Sequence, residues 1–224
     1  MTIIIGAVLK DSVMFVSDTL RAIIDPNGVA SGVEARPLQK VKQLNKYALI
    51  GTAGLGDLND ATVSTIRAIL GHQMEPTKEA LLSTSQSVYR CHHQEFTRQN
   101  PGSYNNMAAL IGGVNPPNNQ PYLNYYHSGN NFQPEVVPSI KIIGSTRERQ
   151  MLEKTVVPIF LREQGHLFAN YAGFFAKAIR EVAEGSKFVG KQVYGVNISK
   201  DGALHSCFIE DDGTSVDPNT HNFV

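Results

Sequence analysis

The chain has 224 residues, and hydrophobic residues make up 42 % of it, so it can bury a sizeable core and is not disordered along its length. Its 20 lysine and arginine residues balance 20 aspartate and glutamate residues. The net charge therefore favours neither a nucleic acid nor an anionic membrane as a partner. Two cysteines, Cys91 and Cys207, are too few for a disulfide framework, which favours a reducing, cytoplasmic location.

The first residues, which read Met-Thr-Ile-Ile-Ile-Gly, are expected to begin the first strand directly. They lack the basic segment and the longer apolar run of a signal peptide. No later stretch approaches the roughly 18 consecutive apolar residues that a membrane span needs. We expect a single domain over residues 1–224, because no linker or repeat divides the chain.

The first half of the chain reads as two β-hairpins followed by two helices. Residues 2–9 and 13–17 are β-rich runs on either side of a polar turn. A looser segment with a turn signal at residues 25–28 comes next. Residues 40–44 and 47–52 form the second predicted hairpin. The first helix begins near Asp57 with an apolar stripe, and the second begins at the N-cap Thr77. The stripe of the first helix comprises Leu58, Ala61, Thr65 or Ile66, and Ile69, and one face of the second carries Leu81, Ser85, Val88, His92 and Phe96.

The second half repeats the order of strands and then helices. Strands are predicted over residues 107–114, 122–126 and 140–143. Two helices follow and a last hairpin closes the chain: helices at about 147–163, kinked at Pro158, and 168–184, then strands at 193–199 and 203–209. Because strands and helices are grouped, the sequence predicts an α+β fold of antiparallel sheets with helix pairs outside them, not a doubly wound parallel sheet.

Few residues form a recognisable chemical motif. The sequence has no phosphate-binding loop, no zinc-ligand spacing and no Gly-x-Ser-x-Gly turn. His92 and His93 are adjacent on a predicted helix, point apart, and are expected to be surface residues. No metal or cofactor is expected.

The candidate chemistry begins at Thr2, which becomes the first residue once Met1 is removed. The free α-amine of a terminal residue has a pKa of roughly 7.7–8.0, so it can act as general base for its own hydroxyl. Such a catalyst also needs a cation, a carboxylate that holds the cation, and a backbone N–H for the oxyanion. Lys40, Asp18 and Gly54 could supply these parts, although each also has a simpler structural explanation.

A resemblance supports this interpretation. The segments Thr2–Gly6, Val16–Thr19, Lys40-Val41 and Gly51–Gly54 resemble the active-site segments of proteasome β-type subunits and of the bacterial peptidase HslV, which are N-terminal nucleophile hydrolases. The start and the length favour a divergent bacterial proteasome homologue. The similarity continues in chain order through Asp57 and Asp60, residues 110–114 and 122–125, Ser128-Gly129, Gly144-Ser145 and residues 198–202.

The resemblance implies a four-layer αββα sandwich and a threonine-type endopeptidase in a self-compartmentalised ring. Thr2 would be the nucleophile and its amine the base. Lys40 would tune the amine, Asp18 would orient Lys40, Gly54 would stabilise the oxyanion, and Ser145 would hydrogen-bond near the amine. Lys42 is the rival of Lys40, because residues two apart share one face of a strand.

The resemblance also implies a substrate pocket and partners. Arg21, Ala22, Thr52 and Gly54, with Lys42 nearby, would line the pocket for the side chain before the cleaved bond. Two cations there would favour acidic side chains, but contacts within a ring or with solvent explain these residues equally well. The implied partners are unfolded polypeptides or peptides, further copies in a homo-oligomeric ring or stacked rings, and an ATP-dependent unfoldase, with no nucleic acid and no membrane.

Two departures keep other functions open. Ser186 and Val189 stand where proteasome β subunits carry an aspartate and a serine, so the network around the amine is altered or missing. The chain could therefore be a non-catalytic ring subunit or scaffold. A third possibility is an amidase of the same superfamily that acts on a small molecule.

Overall fold

A computed structural model describes residues 2–34, 38–71, 76–163, 168–209 and 215–216. The helices in these ranges are α1 (Gly56–Gly71), α2 (Lys78–Gln99), α3 (Thr146–Arg162) and α4 (Phe168–Glu184). The strands are β1 (Ile3–Val8), β2 (Ser12–Asp18), β3 (Ala22–Ile24), β4 (Ala30–Val33), β5 (Val41–Asn45), β6 (Ala48–Gly54), β7 (Met107–Asn115), β8 (Gln120–His127), β9 (Glu135–Val136), β10 (Ile140–Gly144), β11 (Val193–Ser199), β12 (Leu204–Ile209) and β13 (Ser215–Val216).

Two antiparallel sheets form the centre of the molecule. One has the strand order β10-β1-β2-β11-β12-β13 and the other has the order β5-β6-β7-β8-β9, while β3 and β4 form a small separate hairpin. Helices α3 and α4 cover the first sheet, and α1 and α2 cover the second. The chain thus has the predicted α+β fold, a four-layer αββα sandwich.

Strand β1 lies inside this sandwich, with β2 on one side and β10 on the other. Its side chains alternate in the usual way of a strand. Ile3 and Ile5 pack against α3 and α4, whereas Ile4 packs between the two sheets. All three are fully buried, and each such side chain contributes about 1.5–3 kcal/mol to stability. The first strand is therefore held firmly on both faces and both edges.

Helix α1 presents a different face to the core than its apolar stripe predicts. Ile69, expected to face inward, is 42 % exposed. Two polar residues, Asn59 and Thr62, are buried instead, together with Val63 and Ile66. The reason is that the buried polar side chains find hydrogen-bond partners next to the second sheet, so their burial carries little penalty.

Most other predicted elements are confirmed within a residue or two. Thr77 caps α2, since its side chain accepts the N–H of Ala80 at 3.2 Å, and α3 continues through Pro158. The sequence predicts a loose segment around the turn at residues 25–28, whereas the structure has the hairpin of β3 and β4 there. These strands have only three and four residues, which is too short for a clear alternating pattern. Across the described ranges, no helix combines the length and the apolar character needed to cross a membrane.

Candidate active site

Asp18, the last residue of β2, is the hub of the candidate site. Its carboxylate is fully buried. One oxygen, Oδ1, accepts the N–H of Ile3 at 2.8 Å and the Lys40 ammonium at 2.7 Å. The other, Oδ2, accepts the N–H of Gly190 at 3.1 Å. A buried charge is tolerated only when it is paired and hydrogen-bonded, and this one has three donors.

Lys40, just before β5, is 8 % exposed. Its burial lowers the pKa of the ammonium, the attraction and hydrogen bond of Asp18 act in the opposite direction, and the nearby Arg21 lowers the pKa further. Because Lys40 and the Ile3 N–H share one carboxylate oxygen, the ammonium lies beside the peptide bond that joins Thr2 to Ile3. The pair therefore places a cation next to the predicted nucleophile.

Thr2 precedes β1, at the point where that strand meets the end of β10. Ile3 pairs with Gly144 across the ladder, so the next residues outward, Thr2 and Ser145, lie opposite each other. A Cβ at position 144 would come 1.9 Å from the backbone oxygen of Thr2. Only glycine allows the two strands to approach so closely, which fixes Thr2 beside Ser145.

Gly54 ends β6 with φ at +102°, a conformation that favours glycine. A Cβ there would come 2.1 Å from the backbone oxygen of Asn106. Two residues earlier, Thr52 donates its N–H to the carbonyl of Lys40 at 3.3 Å. Because backbone groups two apart point to the same side of a strand, the N–H of Gly54 also points toward the Lys40 side. It is thus a donor available to an oxyanion near Thr2.

Asn59 supports this backbone and was not predicted. Its side chain is 1 % exposed; the amide donates to the carbonyl of Ala53 at 3.1 Å and accepts the Tyr89 hydroxyl at 3.3 Å. The carbonyl of Ala53 and the N–H of Gly54 belong to one planar peptide group. Asn59 therefore fixes the direction of the Gly54 N–H. No sequence signal marks this residue, since a polar side chain in a helix usually faces water.

Two cavities meet at Thr2 and Gly54. The larger has a volume of about 430 Å³ and the smaller about 100 Å³. Ser145 lines the larger cavity, and the predicted pocket residues line the smaller one; these are Arg21, Ala22, Thr52, Gly54 and Lys42. Lys40 also borders the smaller cavity. The structure thus brings all the predicted site residues around Thr2, with Asp18 beneath Lys40.

The charge in the smaller cavity differs from the expectation. Arg21 pairs with Asp57 at 2.5 Å, with Glu34 at 3.2 Å and with Asp60 at 3.6 Å. Lys42 pairs with Asp60 at 2.6 Å. Three carboxylates therefore neutralise the two cations, and the preference for acidic side chains stays a prediction that these ion pairs do not favour. The sequence argument counted the lysine and arginine but missed the carboxylates, which α1 and the segment after β4 supply.

Ser145 meets a group that sequence reasoning missed. Its hydroxyl donates to the carboxylate of Glu148, in the first turn of α3, and Glu148 is only 7 % exposed. Ser186 also lies close enough to this carboxylate to lower its pKa. Position 186 therefore contributes a serine to a network whose carboxylate comes from α3. The Ser-x-x-Glu spacing at the start of a predicted helix was a signal that could have found it.

The histidines also differ from the expectation of surface residues. The Nδ1 atom of His92 lies 3.0 Å from the Thr62 hydroxyl, and the Nε2 atom of His93 lies 2.9 Å from the carbonyl of Asn105. Both are therefore half-buried partners in packing α2. Among the described residues, no group of three or more His, Cys, Asp and Glu side chains is arranged to hold a metal ion.

Comparisons with known proteins show the fold but no family. No family model and no curated protein matches the chain. Among solved structures, an Anbu (Gly-1) mutant from Hyphomicrobium sp. strain MC1 is similar, with a TM-score of 0.68 and 14 % sequence identity over 95 % of this chain and 88 % of that chain. Anbu has a proteasome-like N-terminal nucleophile fold, and this chain shares that fold.

The family assignment drawn from the sequence segments is corrected by these findings. A member of the proteasome β-type or HslV family would be expected to match a family model or a curated relative, and this chain matches neither. A likeness of 14 % identity to Anbu supports the architecture alone. What stands is the αββα fold that the chain shares with Anbu, with a cation, a carboxylate and a threonine gathered at one point.

Proposed function

We propose that the chain is a threonine-type endopeptidase whose nucleophile is Thr2 after removal of Met1. One observation carries the proposal: a single oxygen of the buried Asp18 binds both the Lys40 ammonium and the N–H of Ile3. The cation is thereby held beside the residue whose own amine would act as base. An ion pair with a purely structural role would not need the hydrogen bond between Asp18 and the N–H of Ile3, directly after Thr2.

In the first step, the Thr2 hydroxyl oxygen attacks the carbonyl carbon of a peptide bond while the Thr2 amine takes the hydroxyl proton. The carbonyl oxygen becomes an oxyanion, which accepts a hydrogen bond from the N–H of Gly54. The C–N bond then breaks, and the protonated amine gives its proton to the departing amine. The product is an ester on Thr2, which water cleaves by the same steps in reverse order.

Lys40 favours the neutral form of the Thr2 amine, which is the form that can act as a base. A nearby positive charge disfavours protonation of an amine and so lowers its pKa. A lower pKa leaves more of the amine neutral, and only the neutral form can accept a proton. Asp18 orients Lys40 by its charged hydrogen bond of 2.7 Å.

The two cavities define where a polypeptide would bind. The side chain before the cleaved bond enters the smaller cavity, which Arg21, Ala22 and Thr52 border, and the leaving segment enters the larger one. We also propose that copies of the chain assemble, because a net charge of zero gives little repulsion between them. Exposed apolar side chains, Val136 at 78 % and Met151 and Leu161 at 48 %, support such contacts. A ring, an unfoldase partner and a cytoplasmic location stay predictions.

The test combines intact mass with cleavage of an unfolded substrate. Purified protein should have lost Met1, should degrade casein, and should form a covalent adduct with a peptide epoxyketone. Thr2→Ala should abolish both reactions, whereas Thr2→Ser should retain part of the activity because it keeps a hydroxyl beside the amine. Loss of Met1 without cleavage or adduct would indicate a non-catalytic subunit. Turnover of small amides but not of peptides would indicate the amidase alternative.

A further inference from the structure

The start of helix α3 carries a buried carboxylate that the proposed mechanism does not yet use. Glu148 lies in the first turn of that helix and is 7 % exposed. It accepts the hydroxyl hydrogen of Ser145, which precedes the helix, and Ser186, which follows α4, lies close enough to lower its pKa. Two separate parts of the chain thus converge on one acidic group.

The carboxylate is held in its charged form. Burial raises the pKa of Glu148, but the hydrogen bonds from Ser145, from its own backbone N–H and from Ser186, together with the charge of Arg147, outweigh this effect. The net result is a pKa below the usual value. Glu148 is therefore an anion at neutral pH, close to the larger cavity.

A helix cap does not account for the arrangement. The spacing of Ser145 and Glu148 is that of a capping box, in which the serine oxygen accepts the backbone N–H three residues on. Here the Ser145 side chain makes no such bond, although the residue occupies the N-cap position. Its hydroxyl hydrogen points to the carboxylate instead. The serine is used as a donor to Glu148 rather than as a cap.

The position of Ser145 connects its hydrogen bond with Glu148 to Thr2. Ser145 lies opposite Thr2 at the end of the ladder between β1 and β10, and both residues line the larger cavity. A serine hydroxyl has one hydrogen and two acceptor lone pairs. Since the hydrogen is committed to Glu148, the oxygen can only accept hydrogen bonds on the side that faces Thr2.

We propose that Glu148 is a positioning residue for the terminal amine of Thr2, acting through Ser145. The inference rests on the proposed function. The amine donates an N–H to the Ser145 oxygen, so its lone pair is left free to take the proton of the Thr2 hydroxyl. The negative charge of Glu148 also stabilises the ammonium that forms, and it therefore acts against the cation of Lys40 in setting the pKa of the amine.

Glu148→Gln tests this without changing the size of the side chain. We expect kcat to fall about tenfold with KM within about twofold, since the substrate does not touch residue 148. Activity rises with pH as the amine loses its proton, so removal of the negative charge should move this acid limb down by about half a pH unit. The matched control is Glu153→Gln, on the same helix, where the carboxylate is exposed and pairs with Arg149.

Other charged groups border the space around Thr2 and are the same in both variants. Arg147 acts on Glu148, Lys40 and Asp18 lie on the opposite side, and His127 and Arg149 line the larger cavity. The difference between the two glutamine variants therefore isolates Glu148. A purely structural role would lower the melting temperature and leave the acid limb where it is in wild type.

A double-mutant cycle tests the route through Ser145. At a pH above the acid limb, where the amine is neutral in every variant, the double variant Ser145→Ala, Glu148→Gln should lose no more activity than Ser145→Ala alone if Glu148 acts through that hydroxyl. Multiplied losses would overturn the proposal, as would an acid limb that moves no further in Glu148→Gln than in Glu153→Gln. If Glu148→Gln is poorly folded, the single variant Ser145→Ala, which keeps the carboxylate, still tests the route and should lower kcat with KM within about twofold.

The amine can also be observed without turnover. In protein labelled with ¹⁵N-threonine and lacking Met1, an NMR titration reports the pKa of the Thr2 amine directly. We expect that pKa to fall in Glu148→Gln and to stay unchanged in Glu153→Gln. An unchanged value in both overturns this inference, whatever the activity. Inactive wild-type protein overturns the proposed function instead, so the two failures are distinguishable.

Discussion

Lys40 and Lys42 both border the smaller cavity beside Thr2, and each pairs with a carboxylate. One of these ion pairs is buried and the other is partly exposed. Lys40 binds Asp18 with side-chain exposures of 7 % and 0 %, whereas Lys42 binds Asp60 with exposures of 30 % and 48 %. The two ion-pair distances, 2.7 and 2.6 Å, are nearly the same. Distance therefore does not distinguish the pairs, and only their burial does.

Burial decides what each pair can do. A charge in a low-dielectric interior acts strongly on its neighbours, while solvent screens an exposed one. The Lys40 pair can thus influence the proton affinity of the Thr2 amine. The Lys42 pair instead shapes the rim of the smaller cavity and, as an exposed salt bridge, contributes only about 0–1 kcal/mol to stability.

The largest expected effect separates the two lysines by activity. Lys40→Met should lower kcat/KM for peptide cleavage at least about 10³-fold, because the amine loses the cation that keeps it neutral. Lys42→Met, its matched control on the same strand face, should cost less than about fivefold. Cleavage of a fluorogenic peptide measures both, and equal losses would remove the distinction between the pairs.

The carboxylate partners should differ in stability. Asp18→Asn leaves the Lys40 ammonium buried without its counter-charge and should lower the free energy of unfolding by about 3 kcal/mol or more. Asp60→Asn removes a half-exposed partner and should cost less than about 1 kcal/mol. Urea denaturation followed by circular dichroism compares them. Similar losses would show that burial does not govern these pairs.

The pH dependence of stability should carry the signature of Lys40. Burial lowers the pKa of Lys40 in the folded state below its ordinary value, so the unfolded chain binds more protons between the folded and unfolded pKa values. The free energy of unfolding should therefore rise with pH across that window. Buried tyrosines titrate in the alkaline range too, so the quantity to measure is wild type minus Lys40→Met. A difference that is flat with pH, or that falls, would contradict the lowered pKa.

The smallest expected effect concerns specificity at the exposed network. Asp60→Asn releases Lys42 and one contact of Arg21, so cleavage after glutamate relative to cleavage after leucine should rise about threefold. Asp11→Asn, where the carboxylate is exposed and pairs with Lys200, should leave the ratio unchanged. A peptide series that differs only at the residue before the cleaved bond gives the ratio. If the ratio does not change in Asp60→Asn, the substrate's acidic side chain does not bind in the smaller cavity.

Much of the fold follows from local patterns. The alternation of residues 2–9 and 13–17 predicts β1 and β2, and the N-cap Thr77 marks the start of α2, because these signals depend on neighbours in the chain. The prediction of which face of α1 is buried was wrong, because Asn59 and Thr62 are buried and hydrogen-bond to partners on β6 and α2. Such partners depend on tertiary packing, which the spacing of apolar residues along a helix does not reveal.

The site was predictable only in part. The sequence placed Lys40 and Lys42 on one strand face and had no means to separate them, because burial depends on the whole sandwich. The ion pairs of the cavity cations were not predicted for a similar reason, since Arg21 and Asp57 lie 36 positions apart. Glu148 was missed although its spacing from Ser145 is visible, because its burial depends on elements that are distant in the chain.

Strand β1 pairs with β2 on one edge and with residues 140–144 on the other, and β2 pairs in turn with residues 193–199. During synthesis, the ribosome makes Thr2 well before these flanking segments. The start of β1 therefore gains its complete surroundings only after residue 199 has left the ribosome. A nascent or prematurely terminated chain therefore contains Thr2 but lacks the strands that flank β1 in the folded protein.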